Sequence, residues 1–422
     1  MLDPKFIVQN PELVREAARK KRIDFAVDRF IEVDEKRRSL QAELDTLRAE
    51  KNKASDKIQK LSGEEKQAAI AEMRAQGDSE KTVSEALNEV ETEWKALMLR
   101  APGLISPDAP EGKDDTENVE LYTWGELPKF DFKPKDHMTL GKDLDLVDID
   151  RGVKIGGSRS YFLKNDGMLL ELAILQYTLN KLVAKGFTPF LPPLLVNREA
   201  MEGTGYFPGG EEQAYTMERD EKYLIGTSEV AVASYHSDEI LKEDELPKLY
   251  AGYSNCFRRE AGTYGKDTHG LYRIHQFQKI EQVVLCKNDM EESKKMHAFL
   301  LKNAEEVLQD LKLPYRVVAV CGGDMGQGQY YKNDIETWMP SRESYGETHS
   351  CSTFLDYQAR RLNTRYKDKD GKMQFVHTLN NTCIASPRIL IPILEIYQNA
   401  NGSITIPEVL RPYMGGRDKI GV

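Results

Sequence analysis

From Val27 to Arg100 the chain contains no proline and is dominated by Glu, Lys, Arg, Ala and Leu. Apolar residues recur there in a 4-3 alternation, at Leu40, Leu44, Leu47, Ala54, Ile58 and Leu61, interrupted by Lys51. The pattern returns at Val83, Leu87, Val90, Trp94 and Leu97. That spacing places one apolar seam on each of two helices. Leu61-Ser-Gly-Glu-Glu65 reads as the reversal between them, which sets Val33 near Leu97 and folds the limbs into an antiparallel hairpin. Gly77-Asp78 is a competing turn, but a turn there leaves the Leu40 to Leu61 seam without an apolar partner. At ~1.5 Å per residue, limbs of about 35 residues make an arm of roughly 50 Å.

The purpose of the arm stays open at this level. Between Lys36 and Lys60 the first limb carries eight Lys or Arg against four acids. One basic side suits an extended, phosphate-bearing partner. A dimerisation coiled coil accounts for the seams equally well, and charged faces on long helices are usually just solvated.

Proline-dense Ala101–Pro110 and the acidic EGKDDTE that follows end the arm and begin a new unit. Residues 1–110 are expected to form one domain and 111–422 another, in keeping with 422 residues being long for a single core. Past residue 120, short β-rich runs (Tyr223–Ile225, Ile280–Cys286, Tyr315–Val320) mix with amphipathic helices at about 166–185 and 289–311. Several strands follow one another with no helix between, which favours an α+β fold on an antiparallel sheet.

Composition narrows the class. With 40% hydrophobic and 30% charged residues the chain reads as soluble and globular. No apolar run approaches the ~18 residues that cross a bilayer. Nothing at the N-terminus resembles a signal peptide. The five cysteines lack CxxC spacing and read as reduced thiols of a cytosolic protein. A net charge of −10 argues against sequence-blind coating of nucleic acid, although a local basic patch is compatible with it.

Four segments carry chemistry. Cys256 to Glu281 (CFRREAGTYGKDTHGLYRIHQFQKIE) reads as a hairpin joining arginines, an aromatic and carboxylates. Arg258 offers a bidentate fork to phosphate, Phe277 a face to a purine, and Glu281, on the same strand face as Phe277, an acceptor for an ammonium or hydroxyl. Leu-Ile-Gly-Thr-Ser-Glu229 supplies Thr227, Ser228 and Glu229, suited to an amino group, although taken alone it reads as a helix cap. In Tyr345-Gly-Glu-Thr-His-Ser-Cys-Ser352, Glu347 and Ser350 suit a hard cation such as Mg²⁺. His349 lacks a second His or Cys at zinc-site spacing. Finally, Val376 to Arg388 reads as a strand, a loop and an arginine aimed at an anion from a helix start. No GxxxxGK[ST] or GxGxxG is present, so ATP use does not run through a P-loop.

Taken in order, TSE, FRRE…HQFxKxE, GETHSCS, DYQARR and VHTLN…R behind a two-helix arm resemble the class II aminoacyl-tRNA synthetases, and among them the seryl-tRNA synthetase family, over nearly the whole chain. The resemblance implies a class II catalytic core with an N-terminal coiled-coil arm that binds tRNA. It implies that Arg258 and Arg388 are catalytic, the first at the α-phosphate and the second at the γ-phosphate of a bent ATP. Arg259, Glu260, Ile274, Phe277 and the Glu347-Thr348-His349-Ser350 run would hold the nucleotide. Glu347 and Ser350 would bind Mg²⁺. Thr227, Ser228, Glu229, Arg258, Glu281, Asn380 and Thr382 would line a serine pocket. The implied partners are ATP, L-serine and tRNA(Ser), with tRNA(Sec) as a further candidate. The implied assembly is a cytoplasmic homodimer in which each arm serves the other subunit.

The family's bacterial pattern reads TAE, FRSE, EVSSCSN and LNGSG, where this chain has TSE, FRRE, ETHSCST and LNNTC. His349 is the least comfortable of these departures. If it points into the site it changes the nucleotide's surroundings; if outward, nothing changes. Two other readings compete: an amino-acid-activating relative that charges another carrier, against which the arm speaks, and a non-catalytic nucleotide-sensing module, against which the retained phosphate- and serine-directed residues speak.

Overall fold

The computed structural model describes residues 1–59, 61–262 and 270–421. The tip of the loop expected inside the Cys256–Glu281 hairpin, and Lys60 at the arm's turn, lie outside the described residues. The chain forms two compact units: Met1–Arg19 with Ile23–Pro102, and Lys20–Arg22 with Gly103–Val422.

The first unit opens with short helices Pro4–Gln9 and Pro11–Lys20, the former capped by Asp3 and started by a proline. Helices α1 (Val27–Ile58) and α2 (Gly63–Arg100) then form the antiparallel hairpin. The reversal falls at the earlier of the two turns, and Gly77 stays helical. Pairs across the limbs fix the register: Arg29 with Glu93 at 2.7 Å, the Trp94 indole N–H on Asp34 at 2.9 Å, and Arg48 and Lys51 with Glu80. Val33, Leu44, Leu87 and Val90 are buried, while Ala54, Ile58 and Val83 nearer the turn are only half-buried. Two helices alone cannot enclose a seam there. Lys51, the interruption in the apolar repeat, spans to Glu80 instead.

The second unit is built on one eight-stranded sheet. Its strands are β1 (Val119–Trp124), β2 (Thr188–Phe190), β3 (Lys248–Phe257), β4 (Gln276–Cys286), β5 (Tyr315–Ala319), β6 (Tyr331–Met339), β7 (Ser344–Leu355) and β8 (His377–Ser386). The order across the sheet is β1-β5-β6-β7-β8-β4-β3-β2. Every pairing is antiparallel except β2 with β3. The α+β expectation holds.

Helices α3 (Asn165–Ala184) and α4 (Met290–Asp310) belong with one face. Their Leu170, Ile174, Leu300, Ala304 and Val307 share a core cluster with Ile280 and Val284 of β4. Side chains alternate across a strand, so the even-numbered positions of β4 enter this core and the odd-numbered ones face away. Phe277, Lys279 and Glu281 therefore emerge together on the opposite face, where the site lies.

Candidate active site

The hairpin of β3 and β4 presents the first part of the site. Arg258, just past β3, donates through its peptide N–H to the His275 carbonyl at 3.0 Å and through Nε to the Gly226 carbonyl at 3.2 Å. Its guanidinium carbon stands 5.2 Å from the centre of the Phe277 ring, an ordinary cation–π separation. Glu260 turns the chain with φ of +51°, an uncommon conformation for a side-chain-bearing residue and one that clusters at functional sites. Its carboxylate takes a bond from Arg273 at 3.1 Å.

Arg388 follows β8 and reaches across. It donates to the Tyr272 carbonyl at 3.1 Å and to the Glu347 carbonyl at 2.9 Å. Arg388, Arg258 and Lys332 open on the same cavity, which gives it a wall of fixed positive charge. Burial raises the Glu347 carboxyl, but Lys332 and then Arg388, Arg258 and Arg273 outweigh it and hold the group below its ordinary value. Burial is opposed at Lys332 by Asp334 and Glu347, which raise its pKa and keep it charged.

A bulge decides what β7 shows to the cavity. The register of β6 against β7 shifts between Ile335 and Glu336, so Glu336 faces Glu347 while Ile335 faces His349. The extra residue, Thr348, resets the alternation. Glu347 and Ser350 consequently share the pocket side, whereas the buried His349 turns from it and bonds the Thr348 hydroxyl at 2.8 Å. Burial drives the His349 pKa down to about 3, so the ring is neutral. The outward alternative holds for this residue.

The far end of the cavity is a small polar slot. Glu281 is buried between Lys279, with which it forms an ion pair, and the Thr382 hydroxyl, which donates to it at 3.2 Å. Glu229 sits opposite, also buried, accepting from the Tyr206 hydroxyl and from Gln358, each at 2.8 Å. Burial first, and then Glu281, raise the Glu229 pKa to about 7. Asn380 lines the slot with Nδ2 buried and unpartnered among the described residues. A slot with buried acids, a hydroxyl and an open amide donor fits a small zwitterion better than an apolar ligand.

Among known proteins, the family model for the class II tRNA synthetase core domain (G, H, P, S and T) matches residues 215–397. The model for the seryl-tRNA synthetase N-terminal domain matches residues 1–105. Serine–tRNA ligase of Deinococcus radiodurans is 46% identical over 421 residues, spanning 100% of this chain and 99% of that relative. The chain belongs to the seryl-tRNA synthetases. Two solved seryl-tRNA synthetases share its fold along the whole length. The structure from Pyrococcus horikoshii complexed with ATP has a TM-score of 0.91 at 38% identity and covers 100% of this chain and 99% of its own. The cytoplasmic enzyme of Naegleria fowleri in complex with AMP has a TM-score of 0.87 at 32% identity, with coverage of 100% and 98%.

Within this synthetase, most residues singled out from the sequence meet in one cavity. Arg258, Glu260, Ile274, Phe277, Glu347, Thr348, Ser350 and Arg388 line one part, and Glu229, Glu281, Asn380 and Thr382 line the other. Four do not line it. Arg259 is exposed and bonds Gln213 through its backbone, Ser228 is buried against the Gly252 carbonyl, His349 enters the core, and Thr227 lies behind Lys279. Sequence reasoning passed over Lys279, Lys332, Tyr206 and Gln358. Lys279 was findable, since it stands between Phe277 and Glu281 in the strand alternation. Tyr206 and Gln358 arrive from distant segments and carry no local signal.

Proposed function

We propose that this seryl-tRNA synthetase forms seryl-adenylate from L-serine and ATP in the cavity and then transfers the seryl group to the 3′ end of tRNA(Ser). The observation that carries this reading is the opening of the acidic slot and the arginine wall onto one cavity, with Arg258 part of it.

The chemistry follows from charge. An amino-acid carboxylate is ionised at neutral pH, so it attacks the α-phosphorus without a general base. The protein's share is to align the two reactants and to neutralise charge developing on the phosphates. Phe277 offers the adenine a face, Glu260 and the Ile274 main chain its edge, and Arg258 and Arg388 hold the phosphates. Glu229 receives the ammonium, Asn380 donates to an oxygen, and Glu281 with Thr382 reads the hydroxyl. A slot built to bond that hydroxyl rejects alanine because its own buried groups are then left unpaired.

Mg²⁺ fits the residues present. Glu347 and Ser350 are oxygen donors on the pocket side, and Oδ1 of buried Asp334, opposite Ser350, has no partner among the described residues. No cluster of three or more His, Cys, Asp or Glu able to hold a metal occurs among the described residues, which suits an ion that keeps its waters and shares phosphates. When bound, it would supply further neutralisation of phosphate charge.

The arm within residues 1–110 serves as the tRNA-binding element, and residues 111–422 as the catalytic domain. A second copy of the chain is the expected occupant of the exposed apolar side chains Val153, Ile155, Phe162, Met168, Leu169 and Leu172. Five free, buried cysteines suit a cytoplasmic setting, and no described helix is long and apolar enough to cross a membrane. Charging of tRNA(Ser) with labelled serine tests the reading. The native chain is expected to charge it and Arg258→Ala is not; charging unaffected by that change would contradict the assignment of Arg258.

A further inference from the structure

Lys279 lines the slot and is 4% exposed. Its ammonium has three hydrogens and three acceptors: Thr227 Oγ1 at 2.7 Å, Thr382 Oγ1 at 3.3 Å and Glu281 Oε2. An ammonium so saturated is held in one orientation and has nothing left to give a ligand.

The bonds it makes dictate the direction of every hydroxyl around it. Thr227 Oγ1 accepts from Lys279 and also from the Glu229 peptide N–H at 3.2 Å. Both lone pairs are used, so Thr227 can only donate further. Thr382 accepts from Lys279, which turns its hydrogen to Glu281 Oε2. One lone pair of Thr382 remains, and it can only accept. Glu281 Oε2 takes both Lys279 and Thr382, while Oε1 carries neither bond. The slot is therefore polarised: acceptors at Glu281 Oε1 and Thr382, a donor at Asn380, with Thr227 behind them fixing Lys279.

We infer that Lys279 is the positioning residue that sets this polarity, so that the slot selects an amino acid bearing a hydroxyl donor. The inference rests on the reading of Glu281 and Thr382 as the serine-hydroxyl site. Without Lys279, Glu281 is a buried carboxylate lacking its cation, and the Thr382 hydroxyl is free to rotate. The pattern of acceptors that meets the ligand hydroxyl is then lost.

Lys279→Met tests this by serine- and alanine-dependent exchange of pyrophosphate into ATP. The expected result is a fall of about 100-fold in kcat/KM for serine, a serine-to-alanine preference at least about tenfold lower, and an ATP KM within about threefold of native. If Lys279→Met does not fold, Lys279→Gln, which keeps a polar group there but loses the charge, is expected to fold and to show a serine-to-alanine preference below the native one. A native serine-to-alanine ratio in the folded variant overturns the role, as does an equal loss for serine and ATP. Glu281→Ala separates the two layers. If it leaves serine use intact, the slot reading fails; if it abolishes serine use while Lys279→Met retains the native ratio, only the role of Lys279 fails.

Discussion

Arg388 donates to the main-chain oxygen of Glu347 at 2.9 Å, tying the end of β8 to the bulged edge of β7. A second bond to the Tyr272 carbonyl and a ring centre 4.3 Å away hold the guanidinium on three sides before any ligand arrives. This is preorganisation of a planar fork, which a lysine cannot reproduce. Arg388→Lys is expected to lower kcat/KM for ATP in serine-dependent exchange by about 100-fold, with the thermal midpoint unchanged. A loss below about threefold would show that the charge alone suffices.

Glu229 gives the site a pH dependence. With its pKa raised to about 7, the group is largely protonated below that pH and charged above it. An ammonium ligand needs the charged form. The kcat/KM for serine should therefore rise with pH toward about 7 and then level, while the KM for ATP stays flat. Glu229→Gln should remove the rise and leave a low plateau. A native profile that is flat from about pH 6 to 8 would contradict this assignment.

The arm should matter for one step only. Deleting residues 30–97 is expected to leave adenylate formation within about tenfold of native and to abolish charging of tRNA(Ser). The finer expectation concerns charge. Arg37, Arg38, Arg48 and Lys51 are engaged by Trp94, Asp34 and Glu80, and Lys36 and Lys53 are exposed. Lys36→Glu with Lys53→Glu should raise the KM for tRNA and steepen nothing in the exchange assay.

Asp34 is the arm's polar fastening. It accepts from the Trp94 indole and pairs with Arg38 at 2.9 Å, its side chain 5% exposed. Asp34→Ala leaves the half-buried Trp94 indole without its acceptor and should cost about 1 kcal/mol, seen as earlier loss of helical signal on heating. Exchange activity at low temperature should not change.

His349→Gln should leave the KM for ATP within about twofold of native, because the ring faces the core and is neutral. A tenfold change would place His349 in the nucleotide site after all.

Legibility followed periodicity. The arm was plain because 4-3 spacing and an absence of proline have one common solution, and the preferred turn followed from pairing one seam with the other. Phe277 and Glu281 were placed on one face by strand alternation alone. The same rule fails on β7, where strict alternation would put His349 beside Glu347 and turn Ser350 away. Thr348, inserted as a bulge, reverses both, and nothing local in the sequence announces it. Thr227 and Lys279 show a second limit. Side chains that act through others are visible only once hydrogen bonds from three segments can be traced together.

The account's central claim is tested most directly by exchange of pyrophosphate into ATP with a panel of amino acids. Exchange that depends on serine, with alanine, glycine and threonine at least about 100-fold poorer in kcat/KM, is the predicted result. Exchange driven by a different amino acid, or none with serine, would contradict it.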